Sequence, residues 1–154
     1  GYIQEHYFID LVRKAEDSVC VNIVVNSKII INRIVSKLEE NNIPLTNVTF
    51  SIQFTNSIWV RDYGPFYIEM DGELRIVDFH YYQKVFFYRP IDDLFPTLYA
   101  FKNDIDFNFL PNFFVTLQGG NYFSDGNGIG FVADRIFEHD NPHLSNETVK
   151  KLIK

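Results

Sequence analysis

Cysteine is nearly absent from this chain: one residue, Cys20, in 154. A lone thiol excludes an internal disulfide framework and a cysteine-based zinc site. Its surroundings, Ser18-Val-Cys-Val-Asn-Ile-Val-Val25, read as a buried strand, so Cys20 is expected to be an inert core thiol rather than a nucleophile. A single thiol suits either redox compartment. No run of residues is long and apolar enough to span a membrane, and no signal-peptide pattern is visible. Positive charge is also scarce: 14 Lys and Arg stand against 20 Asp and Glu, for a net charge of −6. They form no basic stripe, which argues against a nucleic-acid backbone as partner. Neither a Ser-His-Asp arrangement nor a phosphate-binding loop is recognisable.

What the chain does have is apolar and aromatic material. Apolar residues make up 46% and aromatics 17%, with 16 Phe and 9 Tyr. That is enough for a real core in a chain of one-domain size. Helical spacing runs from His6 to Asp17, with Phe8, Leu11, Val12 and Ala15 on one face. A strand is expected over Ser18–Val25. An amphipathic helix follows from a Ser27 cap to Asn41, where Asn41-Asn42 and Pro44 stop it. Asn47 to Phe54 alternates as a half-buried strand. Phe66–Met70 and Glu73–Phe79 flank Asp71-Gly72, a strong two-residue hairpin signal. His80 to Pro90 is aromatic and irregular, and Ile91–Lys102 reads as a short helix around Pro96. Asn112–Leu117 reads as a strand. A second hairpin is expected around Asp125-Gly-Asn-Gly128, and a last helix, capped by Ser145, over Asn146–Lys154. The order of elements predicts an α/β fold of mixed sheets with helices packed on them. The two halves are similar in element order, with possible modules at residues 1–90 and 91–154.

Trp59-Val-Arg-Asp-Tyr-Gly-Pro65 packs an aromatic, a cation, an anion and a turn into one short stretch between two apolar runs. A carboxylate beside an indole suits a planar cation: the carboxylate accepts paired hydrogen bonds and the indole stacks. The residues alone leave Asp62 evenly balanced between that role and a plainer one, in which it caps the Gly64-Pro65 turn and forms a surface ion pair with Arg61. In Gln118-Gly-Gly-Asn121 the glycines permit close backbone approach, and Gln118 and Asn121 offer amides into the same space. A plain turn is the simpler reading of that motif by itself. Among the histidines, His6 is expected to be exposed and His80 packed and hydrogen-bonded. Glu138, His139, Asp140 and His143 could ligate a metal on paper, but their spacing fixes no coordination geometry. A solvated polar loop is the favoured reading, and neither a metal nor a cofactor is expected.

Together these motifs resemble one family in the same order. Trp59–Pro65, Val77-Asp-Phe79, Arg89-Pro-Ile-Asp-Asp93, Gln118-Gly-Gly-Asn121 with Asp125-Gly126, and Asn141-Pro142 are similar to the agmatine deiminase and Porphyromonas-type peptidyl-arginine deiminase family. The resemblance runs from about Asn47 onward, and the first forty residues fit the family's opening elements. It implies a pentein fold, a pseudo-fivefold α/β propeller of ββαβ modules, of which this chain would hold about two. It also implies covalent chemistry on a guanidinium, through a cysteine thiolate, a proton-transferring histidine and two binding carboxylates. Asp62 matches the first of those carboxylates, and Trp59 the tryptophan of the substrate channel. Arg61, Gly64 and Pro65 match loop-shaping residues, and Gly119, Gly120 and Asn121 the glycine-rich turn. Gln118 stands where the agmatine branch carries a glutamate, which favours a peptidyl-arginine or other substrate.

The family's His-x-Asp pair and nucleophilic cysteine have no counterpart here. His139 precedes Asn141-Pro142, and Cys20 lies far upstream. The resemblance therefore implies an N-terminal portion, inactive alone, whose partner is a guanidino small molecule or a peptidyl-arginine. A non-catalytic guanidinium-binding or interaction module is the alternative. Neither nucleic acid nor membrane is expected as partner, and exposed strand edges would favour self-association. The location implied is cytoplasmic for the agmatine type, which serves putrescine biosynthesis, and secreted or periplasmic for the peptidyl-arginine type.

Overall fold

The computed structural model describes residues 2–81, 89–105, 107–108 and 115–153, with side chains over 5–81, 89–105 and 115–153. The chain packs as two compact units, Gly1–Phe54 and Thr55–Lys154. This division falls elsewhere than the module boundary expected at residue 90. Strand pairing crosses that position: Ile76 aligns with Phe107 and Val77 with Asn108.

The first unit runs α1 (Tyr2–Ala15), β1 (Val21–Val25), α2 (Lys28–Glu40) and β2 (Val48–Ile52). β1 and β2 pair in parallel, Val21 opposite Val48 through Val25 opposite Ile52. A parallel pair needs a crossover, and α2 supplies it. Ser27 sits at the α2 N-cap in extended conformation without a side-chain cap bond. Ile9, Val12, Leu38, Ile43 and Val48 form the core, and Val21, Ile23, Ile34, Leu45 and Phe50 pack on it. The α1 face is thus rotated from the expected one. Ile9 and Val12 are buried, while Phe8 and Leu11 are about half exposed, at 46% and 50%.

Cys20 corrects another expectation, because it is exposed. Strand alternation explains this: Val21 and Ile23 face the core, so Cys20 and Asn22 fall on the other side. That side is polar, with Ser51 Oγ donating to Asn22 Oδ1 at 3.1 Å and Cys20 Sγ lying 3.9 Å from Thr49 Oγ1.

The second unit begins with the short helix α3 (Val60–Tyr63) and the antiparallel hairpin β3 (Phe66–Met70) and β4 (Glu73–Val77). Asp71 and Gly72 both take positive φ, 57° and 80°. That is the backbone which a two-residue primed turn demands. Helices α4 (Pro90–Asp93) and α5 (Phe95–Asn103) follow, and β5 (Phe107–Asn108) returns parallel to β4. A second antiparallel hairpin joins β6 (Tyr122–Ser124) to β7 (Gly130–Val132). The helix α6 (Asn146–Leu152) closes the unit, and Ser145 Oγ accepts from Thr148 N at 3.2 Å as its cap.

Part of the expected irregular segment (residues 82–88) and part of the expected strand Asn112–Leu117 (residues 112–114) lie outside the described residues. Within the described part, Thr116 forms a parallel bridge with His80.

Two groups of side chains fill the second unit. Leu117, Ile136 and Val149 are buried, with Phe66, Phe79, Tyr122 and Val132 packed around them. The Phe66 ring meets Phe79 edge-on at 5.3 Å and Tyr122 at 5.8 Å. Separately, Tyr63 meets Tyr81 at 5.8 Å and Phe95 at 5.5 Å. Such edge-to-face pairs add roughly 0.5–1.5 kcal/mol each beyond the area they bury.

Candidate functional site

Trp59–Pro65 and Gln118–Asn121 meet in the second unit. Gly120 N donates to Asp62 Oδ1 at 3.2 Å, across 58 residues of sequence. Arg61 Nη2 donates to the Tyr122 carbonyl at 3.0 Å, so the cation of this stretch is spent on holding the turn. Arg61 and Asp62 are therefore not the paired surface ions that adjacent opposite charges suggest. Each makes its own contact with the glycine turn.

The glycines are required by this approach. A Cβ on Gly119 would run into the Arg61 carbonyl oxygen, and a Cβ on Gly120 into Asp62 Oδ1. Gly64 has a similar constraint, since a Cβ there would meet the Val60 carbonyl oxygen. Gly64 N donates to that same oxygen at 2.7 Å, ending α3 and turning the chain into Pro65 and β3. The glycine turn itself is one turn of 3₁₀ helix, Gly119–Asn121, following Gln118 in extended conformation.

Each arm is held from behind by a buried polar group. Behind the first arm stands Asp92, fully buried at the start of α4. Its Oδ1 accepts from Asn56 N at 2.6 Å and Ser57 N at 3.3 Å, and its Oδ2 from Ser57 Oγ at 2.6 Å. Tyr63 donates from its hydroxyl to the Ser57 carbonyl at 2.8 Å. Burial first, and then the Asp92 charge, push the Tyr63 phenol up to about 12, so it stays a donor at neutral pH.

Behind the second arm stands Asn141, also fully buried. It accepts from Thr116 N at 2.8 Å and donates to the carbonyls of Thr116 and Ile136, both at 2.9 Å. It thereby fastens the segment leading to Gln118 onto the π-helical turn Ile136–Asp140. Asp140 is buried beside it, accepting from Arg135 Nε at 3.1 Å and from Asn121 Nδ2 at 3.5 Å.

The structure thus brings Trp59, Arg61, Asp62, Gly64 and Pro65 together with Gly119 and Gly120. Trp59 is 53% exposed, so its indole is accessible from outside. Asp62 is half-buried, and among the described residues Gly120 is the one hydrogen-bond donor to its carboxylate. The Asn121 amide nitrogen is turned toward Asp140, so it braces the turn. Gln118 is half-buried at the start of the turn.

The segment Glu138–His143 is not the solvated loop expected of it, since Asp140 and Asn141 are buried while Glu138 and His139 are exposed. The buried pair satisfies backbone and side-chain donors that would otherwise be left dry. Among the described residues, no three His, Cys, Asp or Glu side chains are grouped to hold a metal.

A second titratable cluster lies nearby in sequence. His80 Nδ1 is 3.3 Å from Asp93 Oδ1, which also accepts from Tyr81 N at 2.6 Å. This hydrogen bond raises the His80 pKa against the opposing effect of burial. Asp78 accepts from Thr97 Oγ1 at 2.8 Å, and burial raises its carboxyl to about 6.

Sequence reasoning missed Ser57, Tyr63 and the supporting roles of Asp92 and Asn141. Asp92 looks like an ordinary acid in a helix's first turn, and Asn141-Pro142 like a turn signal. Nothing local announces partners 35 and 25 residues away.

Solved structures share this fold. A solved structure of a protein provisionally described as an agmatine deiminase matches 96% of this chain with a TM-score of 0.80 at 21% identity. A cysteine-to-serine variant of C. jejuni agmatine deiminase with substrate bound matches 99% with a TM-score of 0.72, also at 21% identity. A Porphyromonas gingivalis protein provisionally described as an arginine deiminase matches 96% with a TM-score of 0.72 at 19% identity. These likenesses establish the fold. The chain spans 41%, 43% and 43% of those three proteins, well under half of each. The model of the Porphyromonas-type peptidyl-arginine deiminases matches residues 3–154, and the chain belongs to that family.

Proposed function

We propose that this region carries the guanidinium-holding part of a guanidine-deiminating hydrolase. The observation that carries the reading is the Asp62 carboxylate, fixed through Oδ1 by Gly120 N at 3.2 Å and set three residues from an exposed indole. A carboxylate with lone pairs to spare accepts paired N–H donors from a guanidinium, while the indole covers its face or the attached alkyl chain. Trp59 and Asp62 are the primary binding residues. Gln118 contributes a neutral amide at the rim, and Asn121 keeps the turn in place. A neutral Gln118 suits a substrate without a second cationic end, which favours peptidyl-arginine over agmatine.

In the whole protein, the reaction we propose is the family's. A cysteine thiolate adds to the guanidinium carbon, ammonia leaves, and water cleaves the thiouronium to release the ureido product. The nucleophile is not among the residues of this site. Cys20, the only cysteine in the sequence, lies far upstream of the position at which the family carries its nucleophile. The 154 residues are therefore expected to bind and not to turn over. Propeller assembly with further modules belongs to the same proposal.

Calorimetry with arginine amide and agmatine tests the reading. Wild type binds arginine amide, and Asp62→Ala weakens it by at least about tenfold, as expected when a charged bidentate partner is lost. Equal affinity in the two proteins, or ureido product formed by these residues alone, would contradict it. The rival reading, a non-catalytic guanidinium-binding module on the same fold, predicts the same binding. It differs in predicting no deimination by the longer protein.

A further inference from the structure

The amide, hydroxyl and carbonyl of Ser57 are each hydrogen-bonded, and the partners form a closed circuit. The Ser57 hydroxyl donates to Asp92 Oδ2 at 2.6 Å, which leaves its lone pairs toward Trp59 N, 3.5 Å away. The Ser57 carbonyl accepts from the Tyr63 hydroxyl at 2.8 Å. One residue thus touches both ends of the Trp59–Tyr63 segment, the backbone at its start and the last side chain of α3 at its finish. The circuit is anchored twice on α4. Asp92 takes the Asn56 and Ser57 amides, and Asn56 Oδ1 in return accepts from Ile91 N at 3.1 Å, a helix N-terminal donor that lacks an intrahelical partner. Beyond it, the Tyr63 ring is wedged between Tyr81 and Phe95.

We infer that Ser57 and Asp92 are positioning residues which hold the main chain from Trp59 to Tyr63, from which the Trp59 and Asp62 side chains project, in one fixed course before any ligand arrives. The functional sense of this rests on the guanidinium reading above. A mobile Trp59–Tyr63 segment would have to be ordered at each binding event, and ordering loop and side-chain groups costs affinity. A buried carboxylate satisfied by three donors fixes the loop without contributing a contact to the ligand.

Trp59 is the only tryptophan in the chain, so its fluorescence reports this segment directly. The test is time-resolved indole anisotropy on wild type, Ser57→Ala, Ser57→Thr and Asp92→Asn, with circular dichroism to establish that each is folded. Ser57→Ala is expected to add a fast local component to the decay, and Ser57→Thr, which keeps the hydroxyl, to restore the slow one. Asp92→Asn should act like Ser57→Ala. If Asp92→Asn fails to fold, the serine pair decides. Arginine amide affinity should fall about fivefold in Ser57→Ala and recover in Ser57→Thr, in proportion to the ordering cost. A folded Ser57→Ala with wild-type anisotropy overturns the inference whatever the binding result. Absence of arginine amide binding in wild type would instead remove the functional reading, and the anisotropy comparison would still decide the positioning claim.

Discussion

Both compact units hold an apolar cluster and buried polar groups, and they differ in how deep the polar groups go: Glu16 and Gln53 in the first are 7% and 8% exposed, Asp92 and Asn141 in the second 0%. In the first, the core of Ile9, Val12, Leu38, Ile43 and Val48 is apolar, and the elements are regular and follow one another closely in sequence. In the second, Asp92 and Asn141 are fully buried, and Thr116 and Asp140 nearly so, each with named hydrogen-bond partners. An apolar core is forgiving, because area removed from water counts almost regardless of partner. A fully buried polar group is not, because it needs its own donor or acceptor at the right place. The candidate site occurs in the unit that uses the demanding construction. Short loops and turns such as Trp59–Pro65 and Gln118–Asn121 have too little apolar surface to fix themselves, so polar clamps do it.

The sharpest way to break this contrast is at Asn141. Asn141→Leu is expected to leave Thr116 N and the Thr116 carbonyl without their Asn141 partner in the dry interior, and to remove the side-chain tie to the Ile136 carbonyl. At about 1–3 kcal/mol for each of the two orphaned groups, the loss should be about 2–6 kcal/mol in chemical denaturation. A loss under about 1 kcal/mol would mean that the clamp is not what holds the turn. Next comes Leu38→Ala in the first unit, where Leu38 is 2% exposed. Here the loss should be about 2–5 kcal/mol, the range for a cavity left in an apolar core. The tolerant substitution sharpens the comparison: Leu38→Met should cost less than about 1.5 kcal/mol, whereas no residue other than asparagine reproduces the three bonds of Asn141.

The smallest effect expected is on pH dependence. Folded Asp78 keeps its proton up to about 6, whereas the unfolded chain releases it near 3.8. The folded state therefore binds more protons over that window, and this contribution to stability falls as pH rises from about 4 to 6. His80 acts in the same sense at higher pH. Its pKa is raised from 6.5 by Asp93, so its contribution is complete below 6.5 and fades as pH climbs above it. Asp78→Asn retains an acceptor for Thr97 and removes the carboxyl titration. Calorimetric Tm profiles should show a higher Tm than wild type at pH 7 and a flatter profile between pH 4 and 6. Superimposable profiles would contradict the assignment of the shift to burial.

The regular elements and the motif order were legible in the residues. Period-3.6 spacing marked α1 and α2, paired turn signals marked both hairpins, and Ser145 marked the start of α6, because these depend on neighbours a few residues away. The α1 face was misjudged at Phe8 and Leu11, since a helix flanked by apolar residues on several sides offers more than one stripe. Cys20 was misplaced because a run of β-branched residues hides which parity faces inward. The motifs around Asp62 and Gly119-Gly120 could be named from sequence as separate pieces with a shared family. That they touch, with no room for a Cβ between them, was decided only by the tertiary structure. So was the support given by Asp92, Ser57, Tyr63 and Asn141. Local propensity is a property of a few adjacent residues, whereas a hydrogen bond across 25 to 58 residues depends on how the whole unit packs.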